Sequence, residues 1–225
     1  MSHHNPFISF PASAEEPCNT VLNTKSLMYD GVNDYVTILD TAKDFQFTEA
    51  EFSGGLTYNC WVKFDAFVGT EPLFCVGRAN NKYYGYAFQI SAVGKPQMHK
   101  YGLNGTSAGQ SSNHRRTRQM ASAISTGTWY MITYIMGSGN ADDWKIMING
   151  VTQTSSKSGN ANVTLTYNNT TAAYIGRQGR AGSEKYHAGN ISSCATWFTE
   201  LSETEVLSLY NTGIVAERIF LTNNN

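Results

Sequence analysis

Charged residues are scarce in this sequence, and no apolar run is long. Only 15% of the 225 residues are Asp, Glu, Lys or Arg, and 16 basic against 17 acidic residues leave a net charge of −1. This balance argues against a general nucleic-acid binder and against a protein held on charged membrane surfaces. Because no apolar run approaches the ~20 residues of a membrane span, we expect no membrane insertion.

The start of the chain also lacks the pattern of a secretory leader. It reads Met-Ser-His-His-Asn-Pro-Phe, without a basic segment followed by an apolar core. We therefore expect synthesis in a cytoplasm without a signal peptide. The low charge gives weak colloidal repulsion, which favours a surface that partners cover in part.

The four cysteines include no closely spaced pair of the C-x-x-C type. Cys60, Cys75 and Cys194 each lie in an apolar, strand-like run, whereas Cys18 precedes the first such run. The even number of cysteines permits disulfides. The favoured interpretation is that these three are buried free thiols, which pack as small hydrophobic groups. A tetrahedral zinc site has little support, since the spacings are wide and no histidine accompanies them.

Tyrosine, threonine, serine, asparagine and glycine are abundant, with 13 Tyr and 20 Gly. This composition is typical of a β protein with a neutral polar surface. A chain of this length fits one large β-sandwich and buries about 70% of the surface that its unfolded form exposes.

Alternating side chains predict β-strands along most of the chain, and residues 55–64 show the pattern most clearly. One face holds Leu56, Tyr58, Cys60 and Val62, and the other holds Thr57, Asn59, Trp61 and Lys63. Further strands are predicted at residues 72–79, 84–93, 96–103, 128–136, 144–154, 163–167, 172–177 and 186–198.

Three segments depart from this simple pattern. Residues 26–39 predict two strands joined by a turn at Asp30-Gly31. Residues 104–120 have no core periodicity and predict a long loop. Residues 201–210 predict one helix, with Ser202 as its N-cap.

Two stretches of the second half share the residues of one β-sandwich family. The first runs from Ser125-Thr-Gly-Thr-Trp-Tyr to Trp144-Lys-Ile-Met-Ile-Asn-Gly-Val151, and the second from Tyr174-Ile-Gly-Arg177 through Tyr186-His-Ala-Gly-Asn-Ile191 to the segment 201–213. In order and spacing they resemble the laminin-G-like branch of the concanavalin A-like lectin/glucanase superfamily. Residues 26–39 are similar to the opening hairpin of that family.

The resemblance implies an all-β fold, a two-sheet antiparallel jelly-roll β-sandwich with one short C-terminal helix. It covers residues 26–213 and leaves an extended N-terminal arm at residues 1–25 and a C-terminal extension at residues 214–225. Trp61 and Trp129 lie in matched strands, and we expect both to be mostly buried.

No catalytic pattern is recognisable. Glucanases of the superfamily present two or more carboxylates on one strand, as in Glu-x-Asp-x-Glu, because alternate residues share a face. The nearest match here, Glu49-Ala-Glu51, predicts a solvated acidic turn. No Gly-x-Ser-x-Gly motif occurs. We therefore predict a protein that is not an enzyme.

Calcium is the commonest cofactor of lectins on this fold and requires clustered oxygen ligands. Asp142 and Asp143 are weak candidates, although an ordinary polar hairpin tip is the favoured interpretation. The sequence thus indicates no cofactor, with calcium as the alternative.

A sugar site needs exposed aromatic rings beside polar groups. The candidates for carbohydrate binding are Asn81, Tyr83, Tyr84, Tyr86 and Trp144. Packing in the core or across strands is the alternative for the tyrosines.

Two further groups of residues are candidates for partner binding. The arm carries Phe7, Ile8 and Phe10, which gain little if they stay in water. The predicted loop carries Arg115, Arg116 and Arg118, which suit an acidic protein surface but are too few to indicate nucleic acid.

Two functions remain open. The first is a non-catalytic structural or interaction protein on a virion surface, for capsid decoration or adhesion, which contacts its own copies or other virion proteins. The alternative is a soluble lectin-like carbohydrate-binding module, extracellular and exported without a cleaved signal.

Overall fold

The computed structural model describes residues 25–42, 44–46, 49–77, 84–103, 112–137, 141–167, 172–178 and 184–212. The predicted arm, apart from Lys25, and the predicted C-terminal extension lie outside these ranges. The partner-binding candidates Phe7, Ile8 and Phe10 therefore lie outside them as well.

The described residues form sixteen strands, one α-helix and two short 3-10 helices, Glu51–Gly54 and Ser112–His114. The strands and the helix are β1 (Leu27–Asp30), β2 (Val36–Leu39), β3 (Leu56–Phe64), β4 (Glu71–Val76), β5 (Tyr86–Ile90), β6 (Pro96–Leu103), β7 (Arg115–Met120), β8 (Trp129–Met136), β9 (Lys145–Ile148), β10 (Val151–Thr152), β11 (Ser155–Gly159), β12 (Thr164–Leu165), β13 (Ala172–Ile175), β14 (Arg177–Gln178), β15 (Lys185–Tyr186), β16 (Ala188–Trp197) and α1 (Glu203–Thr212).

Two antiparallel sheets pack face to face. The six-stranded sheet has the order β1-β16-β3-β8-β9-β10, and the eight-stranded sheet has the order β11-β7-β6-β5-β4-β13-β2 with β12 beside β6. Strands β14 and β15 pair with each other and lie against β4 of the eight-stranded sheet. The predicted two-sheet antiparallel jelly roll with one short C-terminal helix is confirmed.

The predicted turn at residues 30–31 joins strands of different sheets. The Asp30 carboxylate accepts hydrogen bonds from the backbone N–H groups of Val32 (2.8 Å) and Asn33 (3.2 Å), which closes the turn. Strand β1 then pairs with β16, and β2 pairs with β13. The resemblance to an opening hairpin is therefore corrected, because each strand finds its partner near the other end of the chain.

The core lies between the sheets and is rich in stacked aromatic rings. The inward face predicted for β3 is confirmed, since Leu56, Tyr58, Cys60 and Val62 are fully buried. The Tyr58 ring stacks on Phe88 of the opposite sheet with centroids 5.2 Å apart and planes only 2° from parallel. Period-two patterning thus set the register of the strand against the core.

The helix covers the outer face of the six-stranded sheet. Val206 packs on Met131, Ile135 and Met147, whose side chains point away from the core. Ser202 Oγ accepts a hydrogen bond from Glu205 N–H (3.2 Å), and the Glu205 carboxylate accepts one from Ser202 N–H (2.8 Å). This reciprocal capping box confirms Ser202 as the N-cap.

Trp61 and Trp129 occupy the outer face of the same sheet. Trp61 is half-buried and stacks on Tyr210 of α1, with centroids 5.9 Å apart. Trp129 lies at the start of β8, opposite Lys63, and is 38% exposed. The prediction that both are mostly buried is wrong for Trp129, because its position alternates with the inward-facing residues of β8.

Two segments between the core strands differ from the prediction. The predicted loop at residues 104–120 ends in a regular strand, since Arg115–Met120 pairs with both β6 and β11. The predicted strand at residues 144–154 is split by a turn at Asn149-Gly150, where φ is +51° and +78°. In residues 104–120, the arginines made the strand read as a polar loop. In residues 144–154, the Asn-Gly pair is a hairpin-turn signal that the strand prediction overlooked.

Three described cysteines, Cys60, Cys75 and Cys194, are buried thiols that form no disulfide, as the favoured interpretation predicted. The hydroxyl of Tyr58 donates to Cys194 Sγ at 3.3 Å. Cys18 lies outside the described ranges. No helix in the described part of the chain is long and apolar enough to cross a membrane.

Candidate functional site

The residues predicted for sugar binding do not form one site. Tyr86 is fully buried in β5 and donates its hydroxyl hydrogen bond to the carbonyl of Phe45. Trp144 is 1% exposed, and its indole N–H donates to the Gly137 carbonyl at 2.8 Å. Both are therefore corrected to core residues, because their polar atoms are satisfied inside. Tyr84 is half-buried just before β5.

Asn81 and Tyr83 lie outside the described ranges, so their role in carbohydrate binding stays a prediction.

The predicted arginine group belongs mostly to the framework. Arg116 is 8% exposed and donates to the Gly159 carbonyl at 2.9 Å. Arg118 donates to Ser155 Oγ at 2.7 Å and to the carbonyl of Ala141. These bonds tie β7 to its surroundings. Arg115, the third member of the group, is half-buried.

 The proposed role of the three arginines toward a partner stays a prediction.

Asp142 lies beside two cations. Its carboxylate accepts a hydrogen bond from Lys157, which holds the pKa of Asp142 below its ordinary value, and its carbonyl accepts one from Arg118 (3.3 Å). Among the described residues, no group of three or more His, Cys, Asp or Glu side chains is arranged to hold a metal ion. Calcium binding at Asp142 and Asp143 stays a prediction.

Glu49 has a structural role that the sequence did not indicate. Its carboxylate pairs with the buried Lys100 and accepts a hydrogen bond from the backbone N–H of Leu165 at 2.8 Å. The predicted solvated acidic turn is therefore corrected at Glu49, which joins β6 and β12. Glu51 begins the short helix that follows.

A cluster of tyrosines around one arginine lies on the outer face of the eight-stranded sheet. Tyr174 points outward because its neighbours in β13, Ala173 and Ile175, are core residues. Tyr35 directly precedes β2, the strand that pairs with β13. Arg177 opens β14, and Tyr186 is its partner in β15. We call Tyr35, Tyr174, Arg177 and Tyr186 the tyrosine–arginine cluster.

The rings of the tyrosine–arginine cluster are close together and partly accessible. The Tyr35 centroid lies 6.0 Å from that of Tyr174 and 6.1 Å from that of Tyr186. The Arg177 guanidinium carbon is 4.6 Å from the Tyr35 centroid and 4.9 Å from the Tyr174 centroid. Tyr35 is 42% exposed, and the other two rings are half-buried. The cluster thus offers aromatic surface and a positive charge at one place.

Arg177 is only loosely paired. Its Nη2 lies 3.6 Å from Oε1 of Glu184, which is longer than a hydrogen bond. Its Nε is buried and has no hydrogen-bond partner. The Nε donor of this guanidinium is therefore unused.

Gly176 sets the direction in which the chain enters the cluster. Its φ is +75°, a conformation that favours glycine, and a Cβ there would lie 2.5 Å from Cε1 of the buried Tyr29 ring. Its N–H donates to the Leu73 carbonyl, and its carbonyl accepts from His187 N–H at 2.9 Å. The backbone between Tyr174 and Arg177 is thereby fixed against the sandwich.

A buried polar chain holds β14 against the same sheet face. Gln178 Nε2 donates to Gln89 Oε1 at 2.7 Å, and Gln89 Nε2 lies 3.0 Å from His99 Nε2. With Gln89 as donor, His99 carries its proton on Nδ1, which lies 2.8 Å from Thr117 Oγ1. Four strands are thus linked beside Arg177, and this pre-organises the tyrosine–arginine cluster.

The sequence did not single out this cluster, although three of its members lie in the segments that carried the family resemblance. Tyr174 and Arg177 flank Ile-Gly, and Tyr186 begins the next matched segment. The alternation of Tyr174 with Ala173 and Ile175 could have predicted that its side chain points away from the core. The position of Tyr35 beside it depends on the pairing of β2 with β13, which no local pattern indicates.

A family model described as the concanavalin A-like lectin/glucanases superfamily matches residues 30–207. The chain belongs to this superfamily. The resemblance in the sequence is thereby confirmed. A comparison with curated proteins finds no match.

Solved structures of the same fold include a CBM40 domain and two toxin domains. The CBM40 of Ruminococcus gnavus IT-sialidase, bound to α2,3-sialyllactose, has 14% identity and a TM-score of 0.57 over 83% of this chain and 98% of its own. Botulinum neurotoxin type C, whose cell entry depends on two ganglioside molecules, has 14% identity and a TM-score of 0.54 over 83% of this chain. The binding domain of botulinum neurotoxin DC, in complex with rat synaptotagmin II, has 14% identity and a TM-score of 0.53 over 83%.

This chain spans 42% of each of the two toxin chains. At 14% identity the likeness shows a shared fold alone. It does not show that the surface residues of this superfamily member match those of the other proteins.

Proposed function

We propose that this superfamily member is a lectin-like module that binds glycans at the tyrosine–arginine cluster and does not catalyse a reaction. The observation that carries the proposal is the partly exposed group of Tyr35, Tyr174 and Tyr186 around a loosely paired Arg177. Tyrosine combines an apolar ring with a polar hydroxyl, which suits a sugar with apolar faces and hydroxyl edges. A guanidinium supplies donors in a fixed geometry.

Structures of the same fold support this proposal. The CBM40 of Ruminococcus gnavus IT-sialidase, 98% of which is covered by the match to this chain, is bound to α2,3-sialyllactose. We extend a glycan-binding role from that domain to this chain.

We also propose that the protein does not hydrolyse glycans. The carboxylate of Glu49, the nearest candidate for a catalytic group, is engaged by Lys100 and by the backbone N–H of Leu165. We expect no turnover of β-glucans by the wild-type protein. The double variant Glu49→Gln with Glu51→Gln should still bind glycans, provided that it folds. Hydrolysis that disappears in this variant would show instead that the chain is an enzyme.

A glycan array tests the binding proposal. We expect the wild-type protein to bind a defined group of glycans, and Tyr35→Ala or Tyr174→Ala to weaken binding about tenfold, equivalent to ~1.4 kcal/mol. Trp129→Ala is the matched control, because Trp129 is an exposed aromatic residue of the other sheet. A blank array, or equal losses in all three variants, would contradict the proposed site.

A second proposal is the role on a virion surface, and one observation favours it. Strands β1 and β2 are terminal strands of the two sheets. Among the described residues, β1 exposes Leu27 (56%) and Met28 (76%), and β2 exposes Leu39 (76%). Exposed apolar residues on terminal strands suit contacts with other protein chains. The binding domain of botulinum neurotoxin DC, of which the match covers 42%, is itself in complex with a protein, rat synaptotagmin II.

The native mass of the purified protein separates the two proposals. A symmetric assembly would favour the structural role, and a monomer that binds glycans would favour the lectin-like module.

A further inference from the structure

We propose that the glycan carries a carboxylate, and that this carboxylate replaces Glu184 as the partner of Arg177. The inference rests on the proposed function, and it specifies the ligand class of the same site. Its basis is the side-on edge of the guanidinium, formed by Nε and Nη2.

This edge is suited to a carboxylate and is not satisfied in the structure. Nε has no hydrogen-bond partner, and Nη2 lies 3.6 Å from the Glu184 oxygen, which is longer than a hydrogen bond. A carboxylate that binds side-on accepts two parallel N–H bonds of about 2.7–2.9 Å, one from each of these nitrogens. Such a ligand would satisfy a buried donor that is now unpaired.

The guanidinium is already held in place for this contact. It lies over the Tyr35 and Tyr174 rings at 4.6 and 4.9 Å, and its side chain is only 19% exposed. Little rotational freedom is then lost when a ligand binds, which favours affinity. The same rings offer apolar surface to the sugar that carries the carboxylate.

Glu184 is an internal competitor for the same donors. Its side chain is 26% exposed, and it directly precedes β15. An incoming carboxylate must displace it, since two carboxylates side by side repel each other. Removal of this charge should therefore strengthen the binding of acidic sugars and leave that of neutral sugars unchanged.

Two matched pairs of probes test the inference by calorimetric titration. The first is the α-methyl glycoside of N-acetylneuraminic acid and its methyl ester, and the second is methyl β-glucuronide and methyl β-glucoside. We expect at least one acid to bind about tenfold or more tightly than its uncharged counterpart. Arg177→Lys should lose about tenfold for that acid, because lysine keeps the charge but not the fork. Glu184→Gln should bind the acid more tightly than the wild type.

If a variant folds poorly, nuclear magnetic resonance of the wild-type protein tests the same contact without any substitution. In the wild-type protein, the Nε–H resonance of Arg177 should shift when the acid is added and not when its ester is added.

The inference and the proposed function fail differently. If acid and ester bind equally, or if only neutral glycans bind, the carboxylate inference is overturned while glycan binding at the cluster stands. If Tyr174→Ala abolishes binding but Arg177→Lys and Glu184→Gln leave the preference for acids unchanged, the role of Arg177 is overturned. If neither the probes nor the array shows binding, the proposed function itself is overturned.

Discussion

His187 and Glu71 face each other inside the sandwich, with Nδ1 of His187 3.9 Å from Oε2 of Glu71 and both side chains fully buried. This distance is too long for a hydrogen bond, and Oε2 instead accepts the backbone N–H of Ala188 at 2.9 Å. Burial lowers the pKa of His187 to about 3 and raises the pKa of Glu71. The interior thus disfavours the charged form of each group.

We predict that the protein loses stability on mild acidification, through His187. Between its folded pKa of about 3 and its ordinary value of 6.5, the unfolded chain binds a proton that the folded chain does not. The free energy of unfolding therefore falls as the pH falls, by up to ~1.4 kcal/mol per pH unit. Glu71 acts in the opposite sense, since its raised pKa gives a contribution that is lost as the pH rises through that pKa.

Urea unfolding at pH 7, 6 and 5 measures this effect. The variant His187→Phe keeps a ring against Phe64, whose centroid is 5.1 Å away, and should show a smaller decrease than the wild type. Glu71→Gln is the control for the opposing group. Equal pH dependence in wild type and His187→Phe would contradict the prediction.

The turn at Gly150 should tolerate alanine poorly. Its φ is +78°, and a Cβ there would lie 2.9 Å from Leu207 Cδ1 and 3.2 Å from Leu207 Cα in α1. Gly127 has nearly the same φ, +76°, with nothing within 4 Å of its Cβ position. Both alanine variants carry the backbone strain of ~1–2 kcal/mol, but only Gly150→Ala also displaces the helix. Chemical denaturation should show a larger loss for Gly150→Ala, and equal losses would count against the packing argument.

Trp144 should matter for stability and not for ligand binding. The change Trp144→Phe leaves the Gly137 carbonyl without its indole donor and opens space in the core. We expect a loss of about 2 kcal/mol or more in unfolding free energy, and unchanged binding on the glycan array. A loss of glycan binding in a fully folded Trp144→Phe protein would contradict this prediction and would show that Trp144 contributes to the binding site.

The arm is predicted to join copies of the protein or to attach it to another virion protein. Deletion of residues 1–16 removes Phe7, Ile8 and Phe10. We expect a folded, soluble sandwich that no longer assembles or attaches, as measured by native mass and by binding to particles. If the truncated protein assembles with wild-type affinity, the structural role loses its support.

Local patterns predicted the parts of the fold that depend on local chemistry. The alternation in residues 55–64 placed Tyr58 and Cys60 in the core, and Ser202 with Glu205 marked the start of the helix. These features follow from strand parity and from hydrogen bonds between near neighbours.

Features that depend on distant neighbours could not be predicted in this way. The charges of Arg115–Met120 read as a loop, but its side chains find acceptors on β11 and on the segment around Ala141. Tyr35 and Tyr174 meet only because two strands from opposite ends of the sandwich domain pair. Trp144 was predicted to be an exposed binding residue, but it packs in the core between the sheets. Its burial depends on distant residues that the local sequence does not show.

The pairing of the earliest strands with the latest ones has a consequence during synthesis. Leu27 pairs with Ile191, and β3 lies between β8 and β16 in its sheet. The ribosome releases β1 and β3 long before it has made β16, so the six-stranded sheet cannot close on the nascent chain. Until translation is nearly complete, the apolar face of β3 has no finished core to enter, and contacts of such long range form slowly. The growing polypeptide therefore exposes apolar surface and unpaired strand edges, which are prone to aggregation, until its last strands are made.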